Sequence, residues 1–170
     1  MSDMLVKLYE LPPLEPLAAQ IAESGITVRR GLPPEKHVVL DWVEAHFSEF
    51  WRSECDVAFG RLPVSCFLAI KDGVPVGFAC YDATARGFFG PTGVHPDARG
   101  QGLGKLLLLL CLHDMLAQGY GYGIIGGVGP VAFYEKAVGA TLIPESTPGI
   151  YAGLLRRSRP DAKPDEEGQQ

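Results

Sequence analysis

The sequence predicts a mixed α+β domain, and three observations carry that prediction. An antiparallel hairpin lies near the middle of the chain, a glycine-rich turn joins an extended segment to a long apolar helix, and strand and helix patterns alternate after it. The chain has 170 residues and is 46% hydrophobic. A chain of that size buries a single core without metal or disulfide staples.

The elements follow in order. Residues 5–11 read as a strand and 14–22 as a short helix behind Pro12-Pro13, since proline is tolerated at a helix start. Residues 26–30 form the next strand, Pro33-Pro34 opens a helix over 35–46, and 48–58 is a further helical segment. Trp42, Phe47, Phe50 and Trp51 crowd here, a spacing that suits a core and would also suit an aromatic wall beside a ligand. Residues 67–70, the Lys71-Asp72-Gly73 turn and residues 76–81 make the hairpin. Residues 86–94 are the next strand, and Gly90-Pro91 within it demands an edge or a bulge, because proline donates no ladder hydrogen bond. A helix spans 103–118 with Gly119 as its stop, and its apolar run 106–112 fits a helix pressed on a sheet and covered on its other side. Residues 122–126 are a strand, 131–138 a short helix, and 141–143 with 150–155 a closing strand pair. Residues 156–170 hold no large apolar side chain and read as a disordered tail.

The most telling stretch is Arg99-Gly100-Gln101-Gly102-Leu103-Gly104-Lys105, between Val94-His95-Pro96 and the long helix. Glycines at 100, 102 and 104 bring backbone N–H groups close to a ligand, and these are the unpaired donors of a helix start. The helix dipole adds roughly 0.3–1 kcal/mol toward an anion there. Arg99 and Lys105 bracket the loop with positive charge. Such a loop suits a pyrophosphate, although glycines also punctuate ordinary turns.

Two other phosphate signatures fail. A Walker A loop needs glycine where Arg99 stands and Ser or Thr where Leu106 stands. Gly121-Tyr122-Gly123-Ile124-Ile125-Gly126 spells the dinucleotide fingerprint, but it falls within a strand rather than at a strand-to-helix turn. What remains is Arg-x-x-Gly-x-Gly behind Val-x-Pro, followed by Phe133-Tyr134-Glu135-Lys136 and Gly139.

These motifs resemble the GNAT-type N-acetyltransferases over roughly residues 64–155. The resemblance implies a central, mostly antiparallel twisted sheet, splayed at the coenzyme site and flanked by helices. It further implies acetyl-CoA as co-substrate, held by Gly93, Val94, Arg99, Gly100, Gln101, Gly102, Leu103, Gly104 and Lys105, with Tyr134 as general acid. On this reading residues 1–24 are an N-terminal extension, 25–155 the acetyltransferase domain and 156–170 the tail. Two departures stand out. Gly127 occupies the position where the family often has asparagine, and no carboxylate lies between residues 86 and 94.

The reaction itself sets requirements. An attacking amine must be neutral, yet with a pKa of about 10.4 only a few molecules in ten thousand are so near pH 7. Asp82 and Glu54 are the carboxylates placed near the acceptor as general-base candidates, with relay through water as an equal alternative. Backbone N–H groups around Gly93 and Val94 can face the carbonyl oxygen as it gains charge. Tyr134, with an unperturbed pKa of about 10, is protonated at neutral pH and able to supply the departing thiolate with a proton.

Composition narrows the partners. A net charge of −5 argues against nucleic acid, and a seven-residue apolar run cannot span a bilayer. There is no basic n-region with an apolar core at the amino end, so a cytoplasmic protein is expected. Cys55, Cys66, Cys80 and Cys111 form no Cys-x-x-Cys pair, and the histidines complete no metal-ligand spacing, so the expectation is buried reduced thiols and no metal. The function expected is acetyl transfer from acetyl-CoA to the amine of a small molecule, and a homodimer is compatible with it. Its alternatives are a sensor that binds acyl-CoA without turnover and a plain nucleotide-binding module.

Overall fold

The computed structural model describes residues 1–155, and the predicted tail lies outside the described residues. Seven strands form one sheet: β1 (Met4–Lys7), β2 (Thr27–Arg30), β3 (Cys66–Lys71), β4 (Val74–Tyr81), β5 (Phe88–Val94), β6 (Tyr122–Ile125) and β7 (Thr141–Leu142). Their order is β2-β3-β4-β5-β6-β1-β7, antiparallel throughout except between β5 and β6. The helices are α1 (Leu17–Glu23), α2 (Lys36–His46), α3 (Glu49–Phe59), α4 (Leu103–Ala117) and α5 (Val131–Val138). This is the α+β architecture that the sequence predicts.

The alternation of strand side chains divides the core into two layers. In β4, Phe78 and Cys80 pack with α2 and α3, whereas Ala79 and Tyr81 pack with α4. The β3–β4 turn places Asp72 at φ +52 and Gly73 at φ +77, two consecutive left-handed residues of the kind a tight hairpin needs. Ser48 caps α3 by accepting a hydrogen bond from the Trp51 N–H at 3.2 Å.

Leu106, Leu107, Leu108 and Leu109 of α4 are all buried, so this helix needs cover on every side. The sheet supplies one side. Residues set apart by sequence as an extension supply the other: Leu8, Leu11, Leu14 and Leu17 pack into the same cluster, and the His113 ring bonds the Pro12 carbonyl oxygen at 2.8 Å. Strand β1 pairs with β6 on one side and β7 on the other, so residues 4–7 lie inside the sheet.

One predicted strand is corrected. Residues 150–155 add no strand, and the chain makes a 3-10 turn at Gly149–Tyr151 instead. Gly149 at φ +64 and Gly153 at φ +74 break the extended path on both sides of it. The sheet position between β6 and β7 already belongs to β1.

Candidate active site

Strands β5 and β6 run parallel for two residue pairs only, Phe88 with Ile124 and Phe89 with Ile125. Beyond them β5 continues to Val94 against β4 alone, with a register shift opposite Gly90-Pro91 and Gly90 at φ +121. The two strands part where the sequence places the proline. Their divergence leaves the edge of β5 from Gly90 to Val94 without a strand partner on the β6 side.

The 99–105 loop sits at the far end of β5 from this divergence point. Gly100 and Gly102 hold φ of +84 and +86, conformations that side-chain-bearing residues rarely adopt. The first bond of α4 runs from the Leu106 N–H to the Gly102 carbonyl at 3.0 Å, so the N–H groups of Leu103, Gly104 and Lys105 precede the helical ladder. Arg99 is exposed, and its Nε donates to the Val94 carbonyl at 3.0 Å, which fastens the loop to the end of β5. Gln101 donates to the Ala98 carbonyl at 3.2 Å. A Cβ on Gly104 would meet only Val94, at 3.8 Å, so the surface of the first helical turn is open there. The structure brings together Gly93, Val94 and Arg99 to Lys105.

Tyr134 lies at the parting of the strands. Its ring stands edge to face against Phe89, with centroids 6.5 Å apart, and against Phe133 at 4.9 Å. Its hydroxyl has no hydrogen-bond partner among the described residues, and burial pushes its pKa upward. Gly127, in the loop between β6 and α5, is at φ +55, and its N–H donates to Asp3 Oδ1 at 2.8 Å.

The two carboxylate candidates separate. Asp82 is buried at the end of β4, where it accepts from the Gly87 N–H at 2.6 Å, Tyr120 Oη at 2.7 Å and Arg61 Nη2 at 3.0 Å. Its oxygens are occupied in fixing the β4–β5 connection, and it follows the last residue of β4, whereas Gly77, the residue paired with Val94, lies in the middle of that strand. Asp82 stands apart from the 99–105 loop. Glu54, on α3, accepts a hydrogen bond from the Thr84 hydroxyl. Burial raises its pKa, and the Thr84 bond partly offsets that rise.

The aromatic cluster also divides. Trp42 is buried, and Phe47 and Trp51 pack on Phe78 as core. Phe50 is 54% exposed and, with Glu49, Pro148, Tyr151 and Leu154, lines a cavity of ≈ 870 Å³ between α3 and the segment after β7. Tyr151 was unmarked in the sequence because no motif surrounds it. Only the return of the chain after β7 brings it to this cavity.

Cys55, Cys66 and Cys80, scattered in sequence, converge in the α2–α3 layer with sulfur atoms within 4.8 Å of one another. Burial pushes the thiols of Cys66 and Cys80 well up. Among the described residues no helix is long and apolar enough to cross a membrane.

The family model described as "Acetyltransferase (GNAT) family" matches residues 35–140. No curated protein sequence matches the chain. Among solved structures, the chain is similar to a GCN5-related glucosamine N-acetyltransferase region of a fungal multi-domain GH3 beta-N-acetylglucosaminidase, with a TM-score of 0.68 and 13% identity over 84% of this chain and 19% of that one. A GCN5-related N-acetyltransferase from Sphaerobacter thermophilus gives a TM-score of 0.60 and 22% identity over 84% of this chain and 48% of the other. One from Kribbella flavida gives 0.51 and 19% over 83% and 53%. At these identities the likeness is one of fold, and this chain spans about half or less of the length of each.

Proposed function

The chain belongs to the GNAT family of acetyltransferases, and we propose that it transfers an acetyl group from acetyl-CoA to the amine of a small molecule. The observation that carries the reading is the parting of β5 from β6 beyond Phe89, with the Tyr134 ring against Phe89 and the glycine loop at the other end of the same strand. A pantetheine arm is long and thin, and a gap between diverging strands fits it. The loop N–H groups of Leu103, Gly104 and Lys105 would hold the pyrophosphate, with Arg99 and Lys105 supplying charge.

Bound acetyl-CoA supplies a thioester carbonyl. Val94 would direct its backbone N–H, on the edge of β5 that faces away from β4, toward its oxygen as charge develops, while the N–H of Gly93 faces Phe78 of β4. Tyr134, kept protonated by burial, would donate to the departing thiolate. Glu54 is the remaining candidate base, and its raised pKa brings it nearer the range in which a base works at neutral pH. The cavity between α3 and the segment after β7 is of a size for a small acceptor.

Calorimetry with acetyl-CoA, followed by CoA thiol release across a panel of primary amines, tests the reading. Tight binding and amine-dependent thiol release are expected. Binding without release for any amine would make the chain an acyl-CoA sensor, and the absence of binding would overturn the coenzyme assignment.

A further inference from the structure

Cys66 and Cys80 stand directly opposite each other across the β3–β4 hairpin. The neighbouring Ser65 and Tyr81 share a ladder bond, from the Tyr81 N–H to the Ser65 carbonyl at 3.0 Å, so the two cysteines form the intervening non-hydrogen-bonded pair. Side chains come closest at such a pair, where Cα atoms are about 4.5 Å apart. Cys55 reaches them from α3, on the helix face that also buries Ala58 and Phe59 one turn further on. Its sulfur accepts from Cys80 Sγ at 3.8 Å, and all three sulfur atoms lie within 4.8 Å of one another.

That spacing suits three sulfurs around one ion. Sulfurs bonded to a shared centre at about 2.3 Å stand about 3.8–4 Å apart. The Cys55–Cys80 pair is already at 3.8 Å, and Cys66 has at most about 1 Å to close.

The donor set selects the ion. All three donors are soft sulfur, and among the described residues no further histidine, cysteine, aspartate or glutamate joins them. The three residues are fully buried, in one cluster with Val43, Leu68 and Phe78, which leaves no side for water as a fourth ligand. Structural zinc takes four ligands, and calcium and magnesium require oxygen. Cuprous copper accepts a purely soft set of low number. Charge points the same way, because among the described residues no lysine, arginine or histidine is buried. A singly charged ion with one thiolate leaves the apolar layer neutral, whereas each further thiolate would add an uncompensated buried charge.

We propose that Cys55, Cys66 and Cys80 form a three-sulfur site for one cuprous ion, which ties helix α3 to the β3–β4 hairpin. The inference stands independently of the transferase reading. As the ion binds, the Cys55 thiol proton leaves to solvent and its sulfur bonds copper as thiolate. Cys66 and Cys80 complete the site through sulfur lone pairs and keep their protons, that of Cys66 directed to the Phe67 carbonyl at 3.8 Å. Copper stays Cu(I), and no electron is transferred. The sulfurs are sealed from solvent, so the ion enters when α3 lifts from the sheet or while the chain folds, and its binding free energy becomes folding free energy.

The test uses the full chain, anaerobically, both native and refolded from denaturant, with Cu(I) offered as its bathocuproine disulfonate complex, whose loss of colour reads transfer. A single ion per chain should move to the protein, and the melting temperature should rise. X-ray absorption of the loaded wild type should show three sulfur neighbours at about 2.3 Å. Cys111→Ala, in the α4 layer, should take up copper as the wild type does, whereas Cys55→Ala and Cys80→Ala should lose the transfer. Zinc should leave the melting temperature unmoved. Where an alanine variant fails to fold, the wild-type absorption spectrum decides, since it counts the sulfurs directly. Copper retained by the chelator in both forms, an equal loss in Cys111→Ala, nitrogen or oxygen neighbours in place of a third sulfur, or a zinc shift as large as that of copper overturns the site.

Discussion

Leu17 of α1 closes over Gly102, its Cδ1 2.8 Å from where a Cβ on that glycine would stand. The amino-terminal helix therefore forms one wall of the 99–105 loop. A side chain at 102 would collide with Leu17 and also be strained at φ +86, so a substitution there disturbs packing before it touches an anion.

Gly104 is the cleaner probe of the coenzyme loop, since a side chain there would make only ordinary contact with Val94. Gly104→Asp should keep or slightly raise the melting temperature, because a carboxylate in the first helical turn contributes about 0.3–1 kcal/mol. It should abolish acetyl-CoA binding by placing negative charge where the pyrophosphate would lie. Calorimetry reads the affinity, and an unchanged value in the folded variant removes the loop from the coenzyme site.

Tyr134→Phe removes one hydroxyl and keeps the ring on Phe89. Turnover should fall roughly 10²–10⁴-fold while the acetyl-CoA Kd stays the same. A thiol of pKa about 8.5 leaves to some extent unaided, which favours the lower end. Undiminished kcat would take the tyrosine out of the chemistry, and joint loss of binding and stability would return it to packing.

Gly93→Ala tests how the α2–α3 corner rests on β5. A Cβ at this position would stand 2.4 Å from Phe47 Cζ, and Phe47 is stacked on Trp51 with centroids 5.3 Å apart. The ring cannot retreat without moving its neighbour, so overpacking should cost about 1–3 kcal/mol. Thermal unfolding measures it. A melting temperature equal to that of the wild type would show that Phe47 is free to swing away.

Glu35 governs part of the acid sensitivity. Arg29 grips it through two bonds, at 2.5 and 2.9 Å, and holds its pKa down from an ordinary 4.5 to about 2. A carboxylate depressed in the folded state stabilises fully above its unfolded pKa and loses that contribution as pH falls through the folded value. Glu35→Gln should accordingly melt lower than wild type at pH 7, and the gap should close between pH 4.5 and about 2. The pair is partly exposed, so the gap will be small and will shrink with salt. A gap that persists at pH 2 would assign the loss to something other than the charge.

All four cysteines are buried, with relative exposure of 0% each. Native protein should resist alkylation at pH 8, and unfolded protein should take up four labels, as counted by mass spectrometry. Rapid native labelling at Cys55 would show that the α3 layer opens.

Much of the fold was legible because it rests on local rules. The Asp72-Gly73 turn needs two left-handed residues, Gly119 ends α4 at φ +95, and Gly90-Pro91 disrupts the ladder where β5 leaves β6. Each depends on neighbours within a few residues. The 99–105 loop and Tyr134 were readable for the same reason, since their residues are adjacent in sequence.

Tertiary structure alone decided the rest. Met4 pairs with Ile125 and Leu142, which sets residues 4–7 between two other strands, and no periodicity in residues 1–24 specifies partners more than a hundred positions away. Asp82 and Glu54 looked alike as isolated carboxylates. Folding surrounds Asp82 with Arg61, Tyr120 and the Gly87 N–H and leaves Glu54 one hydroxyl partner, Thr84, beside the cavity-lining Tyr151. Spacing along the chain sets backbone geometry and helix faces, whereas the environment of a charge is set by whichever distant segments pack against it.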